Sequence, residues 1–287
     1  MEVNLKNGVS SLRVACVISM TLMFSGCASY TKVQTNTKIP QTYSSPDAKW
    51  SDQIIRTASE TFLYAQLALN AYNCDDQTLD VPTGNYKLPP TVERVLCAKN
   101  DKYGMAYNLY KKTGGSKPEI IIAFRGSELN WLDWFTGNVR GKQLRGALTV
   151  FDDVKESYPN HIYSVTGDSL GGSLATQVSL CNKVNISVSL NTSPRFKAKL
   201  CKDNPIFEEN NRHSIVQRGE ILGVLRKFGR EATQTYTSLP CSKGTSVSKH
   251  DVAKLSKCLT EIAQMNGDKA AIESIKENSE IWALENN

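Results

Sequence analysis

Residues 58–285 predict an α/β fold, with a mostly parallel central sheet and helices on both faces. Three observations carry this reading. Short, near-continuous apolar runs, EIIIAFRG (119–126) and HIYSVTG (161–167), have the length of strands buried on both sides. Segments with apolar residues at three- and four-residue spacing alternate with such runs. The sequence Gly167-Asp168-Ser169-Leu170-Gly171 fits the pattern G-x-S-x-G at the point where a strand pattern gives way to a helix pattern.

Taken in order, ASETFLYAQLALNAY (58–72) sets Phe62, Ala65, Ala68, Leu69 and Tyr72 at helical spacing. YGMAYNLYKK (103–112) alternates and ends before Gly114-Gly115, which reads as a strand and a turn. EIIIAFRG is the first buried strand. LTVFDDVKESY (148–158) reads as a helix and HIYSVTG as the next strand. LGGSLATQVSLCNK (170–183) is a helix of small and apolar residues. VNISVSLNTS (184–193) and HSIVQRG (213–219) are further strands. HDVAKLSKCLTEIAQM (250–265) places Val252, Leu255, Leu259 and Ile262 on one face of a helix, and AAIESIKENSEIWALE (270–285) reads as a last helix. No internal repeat and no change of composition appears after residue 50, so a single domain is expected over 51–287.

The N-terminus has a separate logic. Lys6 and Arg13 precede an uncharged apolar run from Val14 to Phe24, followed by Ser25-Gly26-Cys27. An eleven-residue run is shorter than the roughly 20 residues that span a bilayer as a helix, and its flanks are those of a secretory signal. FSGC resembles the lipobox of bacterial lipoprotein signals, although Phe24 stands where a small residue is usual. That resemblance implies cleavage after residue 26, lipidation of Cys27 and, with Ala28 next, an outer-membrane lipoprotein of the cell envelope. Residues 27–50, rich in Ser, Thr, Gln and Pro, read as a flexible tether behind that anchor. The net charge of +6 is mild, and the lysines are dispersed, which argues against a nucleic-acid surface.

With Cys16 lost alongside the signal, six cysteines remain besides Cys27. Pairing sequence neighbours gives Cys74–Cys97, Cys181–Cys201 and Cys241–Cys258. No Cys-x-x-Cys or His-x-x-x-His pair suggests a metal site.

In the G-x-S-x-G turn, the serine is held at positive φ, and small residues on either side let strand and helix pass closely. Gly167 and Gly171 meet that requirement, and Gly172, Ser173 and Ala175 extend the small surface. A serine hydroxyl then needs a base, and the sequence has three histidines. His161 begins the strand that leads to Ser169, about 25 Å away along it. His213 likewise begins a strand. His250 fits the chain order Ser, acid, His. The acid must come from Asp203, Glu208, Glu209, Glu220 or Glu231. Glu220 is favoured because it directly follows a strand, and Asp203 stands second. Asp251 is too close to His250 in sequence to orient its ring. The backbone N–H of Leu170 and a donor at Ser127, after EIIIAFRG, would form the oxyanion hole.

AFRGSELNWLDW, VTGDSLGGSLA and LNTSPRF together resemble the class 3 lipase family. The resemblance runs from the 58–72 helix to His250. It implies an α/β-hydrolase fold and carboxylester hydrolysis by Ser169, Glu220 and His250, with Ser127 and Leu170 at the oxyanion hole and no cofactor. NWLDWFTGNV (130–139) falls where that family carries its lid. The sequence departs from the family in three respects. Asp168 stands where the family usually has histidine, and Glu220 where it has aspartate. The stretch from Ser127 to the 148–158 helix is short and lacks a histidine.

These readings converge on a membrane-anchored serine hydrolase of acyl esters, a lipase or phospholipase with lipid substrates. A carboxylesterase or thioesterase on the same triad, and a non-catalytic envelope lipoprotein that keeps the fold for binding, are the alternatives.

Overall fold

The computed structural model of the chain describes residues 34–36, 50–73, 86–99, 101–126, 137–193, 196–201, 210–223 and 235–279. Its elements in chain order are β1 (Gln34–Asn36), α1 (Asp52–Asn70), β2 (Val92–Ala98), β3 (Tyr107–Lys112), β4 (Glu119–Phe124), α2 (Gly137–Ser157), β5 (Ile162–Asp168), α3 (Leu170–Cys181), β6 (Ile186–Leu190), β7 (Asn211–Gln217), β8 (Thr235–Leu239), α4 (Val252–Met265) and α5 (Lys269–Glu277).

The strands form one eight-stranded sheet in the order β1-β8-β7-β6-β5-β4-β3-β2. From β4 to β1 every neighbour is parallel, while β2, β3 and β4 pair antiparallel. Strand β4 shows why the sheet needs a helix layer on each side. Ile120, Ile122 and Phe124 point into one core with Leu144, Ala147, Phe151, Leu174 and Val178 of α2 and α3. Ile121 and Ala123 point into the other, shared with α1 and α4 through Ala65, Leu69, Leu255 and Ile262. All six β4 residues are buried, as a strand covered on both faces requires. This is an α/β architecture, a mostly parallel central sheet with helices on both faces, as the sequence predicts.

Polar caps fix the helix starts. Ser51 caps α1, Asp251 caps α4 through the Ala253 and Lys254 N–H groups, and Asp268 caps α5. Buried Gln66 on α1 donates to Thr260 on α4 and Ser274 on α5, locking these three helices in register.

Several elements differ from the sequence reading. The 148–158 helix is the second half of α2, which begins at Gly137. Its first turns carry two glycines and several cations, a pattern that hides the buried stripe of Leu144, Ala147 and Phe151. The helix 58–72 begins earlier, at Asp52, because Ser51 supplies the cap. The last helix ends at Glu277 with Asn278 at its C-cap, and residues 280–287 lie outside the described ones. Strands β2 and β8 were not anticipated. VERVLCA is an edge strand and only partly buried, and TYTSL is largely hydroxylated. The short β1, within the 27–50 segment, pairs with β8.

Disulfides Cys181–Cys201 and Cys241–Cys258 join the sequence neighbours expected, with Cα–Cα separations of 4.7 and 5.6 Å. Cys97 is disulfide-bonded. Its expected partner Cys74, and Cys27, lie outside the described residues.

Candidate active site

The parallel strands run in one direction, so their C-terminal ends open on one edge of the sheet. Gly126 follows β4, Ser169 follows β5, Asn191 follows β6, Glu220 lies three residues beyond β7, and His250 lies in the segment between β8 and α4. Open α/β sheets bind ligands at this edge.

Ser169 has φ 54° and ψ −116°, a conformation rarely adopted by a residue with a side chain. It is the N-cap residue of α3, yet its side chain makes no capping hydrogen bond. A serine at an N-cap ordinarily spends its oxygen on the first helical N–H groups. Here Oγ makes none of those bonds. Close glycine packing makes the turn possible. A Cβ on Gly167 would lie 2.4 Å from the Gly171 carbonyl carbon, and one on Gly171 would lie 2.1 Å from the Phe124 carbonyl oxygen. Both distances exclude any side chain, as the flanking-glycine argument requires. The elbow is anchored by its backbone: Ser169 N–H donates to the Leu190 carbonyl, and the Ser193 N–H donates to the Ser169 carbonyl. Leu170 is the first residue of α3, so its N–H is among the helix-terminal donors that have no intrahelical acceptor and lies at the positive end of the helix dipole. The end of β4 abuts this turn. A Cβ on Gly126 would come within 3.2 Å of the Ser169 Cβ. Ser127, the other expected oxyanion donor, lies outside the described residues, as do 130–136 of the expected lid.

Two strands away, Glu220 and His250 meet. His250 Nδ1 lies 2.8 Å from Glu220 Oε2. An ionised carboxylate only accepts, so Nδ1 carries a proton, and in the neutral imidazole Nε2 is the basic nitrogen. The Glu220 side chain is fully buried, and its Oε2 also accepts from the Leu222 N–H at 2.8 Å. Gly219, at φ 75°, makes the turn that brings Glu220 back over the strand end. Ile221 N–H donates to the Ser246 carbonyl, which ties the glutamate turn to the loop that carries the histidine. Asp251 is occupied as the cap of α4, consistent with the sequence argument against it. Asp203, Glu208, Glu209 and Glu231 lie outside the described residues.

The other two histidines are elsewhere. His161 precedes β5 at the opposite sheet edge and stacks edge-on against Tyr158. His213 is buried within β7, where desolvation lowers its pKa to about 4.

A further layer was not read from the sequence. Asn191, itself at φ 42°, accepts through Oδ1 from the Gln217 N–H at 2.8 Å. The Gln217 side chain accepts from the Cys241 N–H at 3.0 Å and donates to the Ser242 carbonyl at 3.2 Å. These two buried amides link the exits of β6, β7 and β8, the segments that flank the serine and bear the glutamate and histidine. The disulfide Cys241–Cys258 closes the loop holding His250 onto α4. Lone Asn and Gln residues at strand ends carry no pattern in the sequence that distinguishes them from turn formers.

The described helices include none long and apolar enough to cross a membrane. No family model matches the sequence, and no curated protein matches it. Solved structures do match. Lip2 lipase from Yarrowia lipolytica is 19% identical over 64% of this chain and 78% of its own, with a TM-score of 0.44. A triacylglycerol lipase from Penicillium expansum is 14% identical over 68% and 89%, also at 0.44. A Rhizomucor miehei lipase propeptide complex is 16% identical over 71% and 78%, at 0.42.

Proposed function

We propose that the chain is a serine hydrolase of acyl esters, acting as a lipase or phospholipase at a membrane to which lipidated Cys27 holds it. The observation that carries this reading is a serine at φ 54° whose hydroxyl makes no capping hydrogen bond, on the same sheet edge as a buried carboxylate–histidine pair at 2.8 Å. Strands β5 and β7 are separated by β6, about 10 Å. An imidazole bonded to a carboxylate at one end spans such a gap to reach a hydroxyl at the other.

In this reading Ser169 Oγ attacks the ester carbonyl carbon while His250 Nε2 takes its proton. Glu220 fixes the tautomer and stabilises the imidazolium. The oxyanion is met by the Leu170 N–H and by Ser127. Collapse expels the alcohol, which takes the proton from His250, and water then hydrolyses the acyl-enzyme by the same route. No cofactor takes part.

Two measurements test the reading. Ser169→Ala should lower kcat on p-nitrophenyl esters by at least about 10⁴-fold without loss of folded protein. Turnover should rise with acyl length and with presentation on vesicles. Activity confined to short soluble esters would replace the lipase by a carboxylesterase or thioesterase on the same residues. No turnover of any ester by folded protein would leave a non-catalytic envelope lipoprotein.

A further inference from the structure

Asp168 is the one residue of the GDSLGG turn that departs from the family pattern, and its surroundings give it a task. The side chain is buried, at 3% exposure, immediately before Ser169. The Tyr72 hydroxyl, from the segment that follows α1, donates to Asp168 Oδ2 at 3.0 Å. The same hydroxyl lies against Gly126, where a Cβ would come within 2.4 Å of it. That Cβ would also lie 2.8 Å from the Asp168 carbonyl oxygen and 3.2 Å from the Ser169 Cβ. Three segments therefore meet in one contact: the end of α1, the end of β4 and the turn of the candidate nucleophile. Sheet register enforces the meeting, because Phe124 pairs with Gly167 and so sets residues 125–126 alongside 168–169.

We propose that Tyr72 and Asp168 form a positioning clamp that fixes the β4 end at Gly126 against Ser169 and so holds the oxyanion-hole segment in place. The proposal rests on the hydrolase reading and deepens it. Its chemistry is specific. A bare carboxylate beside an oxyanion site would oppose the negative charge that forms there. Here Asp168 is bound by a phenol proton. Burial, then the Asp168 charge and hydrogen bond, hold the Tyr72 phenol well above its ordinary range, while the Gly126 backbone and the Arg125 charge act in the opposite direction. The phenol therefore stays protonated and keeps donating across the working pH range. A histidine at position 168 could not accept this bond when both its ring nitrogens are protonated, whereas a carboxylate always can.

The test compares kcat and KM on a p-nitrophenyl ester, and the rate of inactivation by an alkyl fluorophosphonate, in the full chain. Tyr72→Phe should lower kcat and the inactivation rate together, by about 10- to 100-fold, with KM within about two-fold of the parent, because the tetrahedral species alone depends on the displaced donor. Asp168→Leu should fall as far, and the double variant no further than the worse single one, since both remove the same contact. Asp168→Asn, whose amide oxygen can still accept the Tyr72 proton, should recover most of the loss. Melting midpoints separate these effects from a folding defect. Additive losses, a rise in KM at constant kcat, or an Asp168→Asn variant that folds and falls as far as Asp168→Leu would each overturn the clamp. If the parent reacts with the probe and Tyr72→Phe reacts equally fast, the clamp fails and the hydrolase reading stands. A parent inert to both ester and probe removes both.

Discussion

Ser169 is held in its conformation by what its neighbours lack. Side chains are missing at Gly167 and Gly171, where a Cβ would come within 2.4 and 2.1 Å of backbone atoms. Gly171→Ala should therefore destabilise the fold by more than an ordinary glycine replacement, by about 1–3 kcal/mol or beyond, read as a fall in the urea midpoint. The carboxylate–histidine pair makes a second prediction at this scale. Glu220→Gln should lower kcat by about 10³- to 10⁴-fold with KM little changed, because the tautomer of His250 is no longer fixed. Asp203→Asn should leave kcat intact, and the reverse result would move the acid to Asp203. The glycines were legible because their spacing relative to Ser169 is itself the requirement, and His250 because it alone of three histidines fits the chain order of serine, acid and base. Glu220 was legible because it follows a strand. In the sequence Tyr72 is one more apolar position of a helix face, since nothing in a linear sequence shows a hydroxyl meeting a carboxylate nearly a hundred residues away.

At the scale of elements, the site depends on how the exits of β6, β7 and β8 are tied. Gln217 ties the β7 exit to residues 241–242 and is tied in turn to Asn191, and Cys241–Cys258 closes the histidine loop onto α4. The two disulfides should separate stability from activity. Replacing Cys241 and Cys258 by serine should cost about 3 kcal/mol and also reduce kcat, because the released loop carries His250. Replacing Cys181 and Cys201 should lower the urea midpoint comparably while sparing kcat, because that loop carries none of the three candidate residues. Equal effects on kcat would contradict this division. Buried elements were legible from their runs of apolar residues, as in β4 and β5. Strands β2 and β8 were not, because an element near a sheet edge, or one lined with hydroxyls, has no such run. The start of α2 was obscured in the same way by the glycines and cations in its sequence.

For the molecule as a whole, one buried group sets part of the response to acid. His213 lies inside β7, and its Nε2 approaches the half-exposed Glu60 carboxylate at 3.5 Å. That distant, solvated charge does not offset burial, and the histidine pKa falls from 6.5 to about 4. As pH drops below 6.5 the unfolded chain takes up the proton first. Stability is thus full above pH 6.5, declines as pH falls towards 4, and loses nothing further from this group below that, a total of about 3 kcal/mol. Unfolding free energies at pH 7 and pH 4 should differ by about that much more in the parent than in His213→Leu. The overall fold was legible because alternation of strand and helix in a parallel sheet is a property of periodicity alone. The candidate site was legible where chemistry demands a fixed pattern, at the turn and in the order of serine, acid and histidine. The supports of the site were not, because sheet topology gathers them from distant parts of the chain. The central claim is that Ser169 is a nucleophile activated by His250. It is tested most directly by treating the full chain with a fluorophosphonate and locating the adduct by peptide mass. One adduct per chain on the peptide containing Ser169, absent in Ser169→Ala and formed far more slowly in His250→Ala, is the predicted result. Folded protein that forms no adduct, or forms it at another residue, would contradict the account.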